Sequence, residues 1–201
     1  MRTTVVFLRL CVGLALILGA SAAQASVIRW VPESGDGLTT VGGLGILEYN
    51  DAFYSGGDTG DWTVSGGVYS GNSSQLWLLD GVNTASTTFS TPSSAVAFMM
   101  AGDWNDGLAD FLVDGAVVLA GYDMAFLGRQ SLIVSDLSVA AHTVAVRHLD
   151  IPGSSGAPRC AGGGCDHVAI FGAAAVPEPA TLTLLGLGLA ATAFFTRRRR
   201  E

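Results

Sequence analysis

Hydrophobic and polar residues alternate in short bursts along residues 26–176, and no stretch of ten or more carries a helical repeat. Runs of β-branched and aromatic residues are cut by Gly, Asn, Asp and Ser about every ten positions, which predicts short strands joined by tight turns. Strand candidates lie at 27–31, ahead of a Pro-Glu-Ser-Gly turn, and at 62–69, folded about Gly66-Gly67 as a hairpin. Residues 75–79 form a further one, ending at Asp80-Gly81. Residues 85–90 are polar and β-branched and read as an exposed or edge strand. Residues 95–101 are continuously apolar and read as a strand buried on both faces. Segments 109–113 and 116–120 flank Asp114-Gly115, a strong two-residue hairpin signal. Segments 132–134, 142–147 and 166–171 complete the set. In 143–147, Val144 and Val146 share one face while Thr143 and Arg147 share the other, the alternation of a half-buried strand. About ten strands in about 150 residues predict an all-β fold, a single antiparallel β-sandwich of two sheets packed face to face.

Two apolar runs flank this region. At the front, Arg2 and Arg9 precede an apolar stretch at 10–20, and Ala23-Gln24-Ala25 places small residues at Ala23 and Ala25. This is the layout of a signal peptide cleaved after Ala25. Cys11 stands at the start of the apolar stretch, too early for a lipidated cysteine. At the back, residues 180–196 are apolar and end at Arg197, Arg198, Arg199 and Arg200. Seventeen helical residues reach about 25 Å, marginally enough for a transmembrane helix. The arginines would stop transfer and remain on the cytoplasmic side. The expected organisation is a signal peptide at 1–25, a β-sandwich domain at 26–175 and a terminal segment at 176–201.

Charge narrows the function. Residues 26–176 hold 15 acidic and four basic side chains, and the whole chain has no lysine. A duplex-binding surface needs clustered cations, so nucleic acid is excluded as a partner. No Gly-x-Ser-x-Gly elbow, His-Glu-x-x-His pair or glycine-rich phosphate loop is present. The domain is therefore expected to be non-catalytic, with glycoside hydrolysis by two carboxylates left open because such pairs meet only in three dimensions.

Three constellations remain. Cys160 and Cys165 close a short glycine loop in an exported, oxidising context and are expected to form a disulfide. Asp103, Asn105, Asp106 and Asp110 place four oxygen donors in eight residues around a glycine. They form either a turn in which Asx side chains bond their own backbone or a calcium site, the one cofactor considered. Trp62, Tyr69, Trp77, Trp104 and Tyr122 are either core residues or platforms for a sugar, with Trp104, inside the acidic turn, the one expected to be exposed.

Two resemblances add to this reading. The segments DGLADFLVDGAVVLAG, SLIVSDLSVAAHTVAVRHLD and CDHVAIFG resemble the second half of the jelly-roll sandwiches in carbohydrate-binding modules and galactose-binding-like domains. That likeness implies a jelly-roll-like fold and a carbohydrate-associating role. At the other end, Pro177-Glu178-Pro179, the apolar run and the arginine cluster resemble the PEP-CTERM sorting signal of Gram-negative bacteria. This second likeness implies processing near the motif by an exosortase-type enzyme after transient tethering in the inner membrane. It further implies delivery to the cell surface, biofilm or exopolysaccharide matrix. The alternatives are a hydrolase of matrix polysaccharide and a surface protein that keeps its membrane anchor.

Overall fold

The computed structural model describes residues 27–32, 40–154 and 167–177. The signal peptide, Cys160, Cys165, Glu178, Pro179 and the terminal apolar and arginine segments lie outside the described residues. Every regular element among those described is a strand.

Two antiparallel sheets face each other. The first contains β1 (Val27–Pro32), β4 (Glu48–Asp51), β6 (Tyr69–Asn72), β7 (Gln75–Leu78), β9 (Ala95–Gly102), β12 (Gly128–Ser135) and β14 (Val168–Val176). Its order is β1-β12-β9-β14-β7-β6, with β4 also paired to β14. The second contains β5 (Thr63–Gly66), β8 (Asn83–Thr88), β10 (Gly107–Val113), β11 (Ala116–Asp123) and β13 (Thr143–Pro152), in the order β11-β10-β13-β8-β5. A small hairpin, β2 (Thr40–Val41) with β3 (Leu44–Gly45), stands apart. From β7 onward the chain changes sheet at every connection except the β10–β11 hairpin. The resulting rows, β12-β9-β14-β7 and β11-β10-β13-β8, are wired as a jelly roll.

The core lies between the sheets. Phe98 meets Phe111 edge-on at 5.2 Å, and Trp30 lies 4.8 Å from Tyr122. Leu76, Leu78, Leu132, Val144, Val146 and Ile170 close around them, all fully buried. Strand β9 is buried on both faces because its outward residues Ala95, Ala97 and Met99 join a second cluster with Val41 and Ile133, packed against Leu44. The β2–β3 hairpin supplies Val41 and Leu44 to that cover.

Turn chemistry fixes the register. Asp114 and Gly115 both adopt positive φ, 52° and 79°, as a type I′ hairpin requires, and Val113 pairs with Ala116. Gly66 and Gly67 also have positive φ but close no hairpin. They carry the chain from β5 in one sheet to β6 in the other. The crossover is held by the Asn83 amide, which donates to Val68 O at 2.7 Å. Strand β8 is not an edge: it lies between β13 and β5, and its alternate residues Asn83, Ala85 and Thr87 are buried. Its polar character comes from an outward hydroxyl face, where Thr88 and Thr143 share a hydrogen bond.

Strand β14 decides where the site falls. One of its edges pairs with β9 throughout, while the other is shared by β7 at 168–170 and β4 at 172–175. Gly172 stands at the handover, where a side-chain carbon would meet the Tyr49 hydroxyl at 2.6 Å and Asn50 O at 2.7 Å.

Candidate functional site

A single cross-strand row builds a trough on the outer face of the first sheet. Ser70 pairs with Trp77, Trp77 with Ala169, Ala169 with Ala101, and Ala101 with Arg129. The two alanines form a low floor between the indole of Trp77 and the guanidinium of Arg129. These walls stand three strand spacings apart, about 14 Å between backbones. Leu76 and Leu78 point the other way into the core, so strand alternation alone turns Trp77 outward. Arg129 lies over the ring of Phe171 at 4.2 Å, a cation–π contact that fixes its position. The cleft has a volume of about 490 Å³, within the range of small-molecule sites. Gln75, Ser70 and Leu79 line its Trp77 side, and Asp103, Asp106 and His167 its end.

That end is closed by two loops stitched together. The Asp103 carboxylate accepts from Asn105 N at 3.1 Å, an Asx turn, and the Asp106 carboxylate accepts from Asp103 N. Phe126 N donates to Asp103 O at 3.0 Å. Gly102 lets the second loop approach, since a side-chain carbon there would lie 1.9 Å from Met124 O. His167 enters from the start of β14: its Nε2 is 3.0 Å from Asp106 Oδ1 and its Nδ1 is 3.4 Å from the Asn105 amide. Asp106 is 1% exposed. Burial, reinforced by the neighbouring charge of Asp103 and opposed by the Asp103 N–H, pushes its carboxyl up to about 7.

Asp103, Asn105 and Asp106 thus share one turn, but Asp110 does not join them. It lies on β10, where its carboxylate binds the Arg147 guanidinium, with Nε at 3.1 Å, and accepts from Gly121 N at 2.6 Å. The four candidate calcium donors are therefore not brought together as one set. The β10 backbone leads Asp110 away from the turn, and its charge is already matched. Among the described residues no three His, Cys, Asp or Glu side chains converge as a metal site. Of the aromatics, Trp62 is buried, and its indole N–H donates to Asn50 O at 3.3 Å. Trp104 is 55% exposed. Tyr69 and Tyr122 pack against the core. Sequence reasoning missed Arg129 and His167 as site residues; the alternation of Gln75-Leu-Trp-Leu78 was the only local signal for Trp77.

Fold and trough together define a jelly-roll sandwich with a polar and aromatic cleft on one sheet. A family model for the PEP-CTERM protein-sorting motif matches residues 175–200, so the chain carries that signal directly after, and overlapping, its last strand. The motif implies export and sorting by an exosortase through a transient membrane stage. No curated protein matches the chain.

Proposed function

We propose that this exported, exosortase-sorted protein serves at the cell surface or in the exopolysaccharide matrix, and that its sandwich binds carbohydrate in the Trp77 trough without chemical turnover. The observation that carries this reading is the Ser70–Trp77–Ala169–Ala101–Arg129 row. An indole beside an alanine floor offers a flat apolar surface to the C–H face of a pyranose ring. Gln75, Ser70, Asp103 and Arg129 surround it with donors and acceptors for ring hydroxyls. Absence of turnover is favoured by the state of Asp106: its oxygens address Asp103 N and His167, and it is withdrawn from solvent. Titration of the purified protein with a panel of bacterial exopolysaccharides, read by calorimetry, tests the proposal. Heat of binding that vanishes in Trp77→Ala is expected, and no binding to any glycan would overturn it.

A second reading, a hydrolase of matrix polysaccharide, is favoured by one feature. A carboxyl raised to about 7 at the end of a cleft is the usual state of a general acid. Release of reducing ends that is lost in Asp106→Asn would select it over simple binding. Retention of the tail, the third option, is decided by intact mass: a mature chain ending near Pro179 supports sorting, and one that keeps Arg197 to Arg200 supports permanent anchorage.

A further inference from the structure

The two ends of β14 carry different tasks. At its start, His167 and Ala169 line the trough. At its finish, Val176 is fully buried and paired with Ala95, so the domain ends rigidly there. The sequence then runs Pro177, Glu178, Pro179 and enters the apolar run at Ala180. Four residue steps span at most about 14 Å, and lipid headgroups occupy about 6 Å on each side of the hydrocarbon. No linker therefore separates the sandwich from the bilayer while the sorting segment is attached. His167 and Val176, nine residues apart on an extended strand, are about 30 Å from each other.

We infer that the precursor rests its Val176 pole against the membrane surface and holds the trough at the opposite pole, facing outward. This rests on the sorting reading of the tail and not on the carbohydrate reading of the trough. The surface at the Val176 pole suits a lipid headgroup layer. Leu47, 49% exposed, sits in the β3–β4 connection, and its N–H donates to Ala175 O at 2.9 Å. Val139, 76% exposed, sits in the β12–β13 connection. That connection is tied to the segment preceding β9, with Leu137 N donating to Ser94 O at 3.0 Å and Ser93 bridged to Ala140. These apolar side chains stand proud of the pole that the chain length places at the interface. The acidic Glu48 beside them is engaged along the surface, accepting from Ser90 and Thr91.

The geometry is tested on the full precursor reconstituted in phospholipid vesicles, with no glycan added. A benzophenone side chain is placed singly at position 47, 139 or 104, leaving the native cysteines in place. Illumination should join positions 47 and 139 to phospholipid and leave position 104, on the turn beside the trough's end, at least tenfold less labelled. Equal labelling of position 104, or no lipid adduct at 47 and 139 in protein that floats with the vesicles, would overturn the orientation. Precursor that does not float with vesicles would overturn it as well. None of these outcomes depends on a bound sugar, so failure here leaves the trough proposal standing, and failure to bind glycans leaves the orientation standing.

Discussion

The indole of Trp77 and the imidazole of His167 face each other at 6.1 Å with their planes 58° apart, one from β7 and the other from the threshold of β14. His167 is held by Asp106 and Asn105, so the mouth of the trough has one wall fixed from beneath. The Trp77 wall belongs to a four-residue strand near the sheet edge.

Removing that wall should abolish recognition with little harm to the fold. Trp77→Ala is expected to weaken glycan binding at least tenfold, about 1.4 kcal/mol or more. Its melting temperature should stay close to that of the parent, because the ring lies on the outer face of the sheet and is not part of the core between the sheets. Trp104→Ala, outside the row, should bind as the parent does. Affinity electrophoresis and thermal melts of the three proteins check this, and equal loss in both variants would argue against the row as the site.

The buried carboxyl beneath His167 makes stability depend on pH in a defined direction. Asp106 titrates at about 7 in the folded chain against 3.8 as an unperturbed group. The folded state therefore keeps its proton longer than the unfolded state. Below pH 4 both are protonated and nothing is lost. Between about 4 and 7 the unfolded chain ionises first and stability falls, and above 7 the loss is complete. Asp106→Asn should flatten this stretch of the curve, as read from urea midpoints at pH 4, 5.5 and 7; an unchanged slope would show that another group is responsible.

Glu48 acts with the opposite sign. Although partial burial works against it, hydrogen bonds from Ser90 and Thr91 hold its carboxyl down to about 2, against an ordinary 4.5. The resulting stabilisation is fully present above pH 4.5 and is lost as pH falls toward 2. It ties β4 to the connection between β8 and β9. Glu48→Gln should reduce the acid-side loss, measured as the drop in melting temperature from pH 5 to pH 2.5. With Asp106 acting on the other side, the parent should be most stable near pH 4 to 5.

His142 is a test of the sandwich rather than of the site. It is 1% exposed, with Nδ1 2.7 Å from Asp114 Oδ2 and Nε2 within 3.1 Å of the Ser93 and Ser138 carbonyls. His142→Ala leaves a cavity in the buried site and takes one donor from each of the Ser93 and Ser138 carbonyls, of which Ser93 O keeps the Ala140 N–H, so a loss of about 3 kcal/mol is expected. Asp114→Asn should cost less, since an amide retains an oxygen for Thr143 N. Denaturant unfolding of both variants gives the comparison, and a loss under about 1 kcal/mol for His142→Ala would mean that water replaces the ring.

Local signals made part of this architecture legible. The Asp114-Gly115 turn, the alternation at Val144 and Val146, and the apolar run of β9 each follow from neighbouring residues, and each stands as expected. The polar strand β8 was misjudged because hydroxyl side chains on its outward face resemble an edge, although its burial alternates. Gly66-Gly67 was misjudged because positive φ serves a crossover as readily as a hairpin. The trough was hidden for a different reason. Trp77, Ala101, Arg129 and Ala169 come from four strands, and only the pairing register places them in one row. The acidic turn was visible as a cluster, but the backbone direction after Gly107 sends Asp110 to Arg147.

The central position of β14 has a consequence for the order of events during export. The strand that β9, β7 and β4 all pair with is the last of the described strands to be synthesised and to cross. Until residue 176 emerges, the first sheet is a β1-β12-β9 piece, a β6–β7 hairpin and an unpaired β4, and open edges pair with whatever strand is at hand. The domain cannot complete itself ahead of its own sorting signal, because strand and signal overlap at Ala175 and Val176. Completion of the fold and arrival of the signal at the membrane are therefore nearly one event, and a chain cut short before residue 167 would be delivered without a closed sheet.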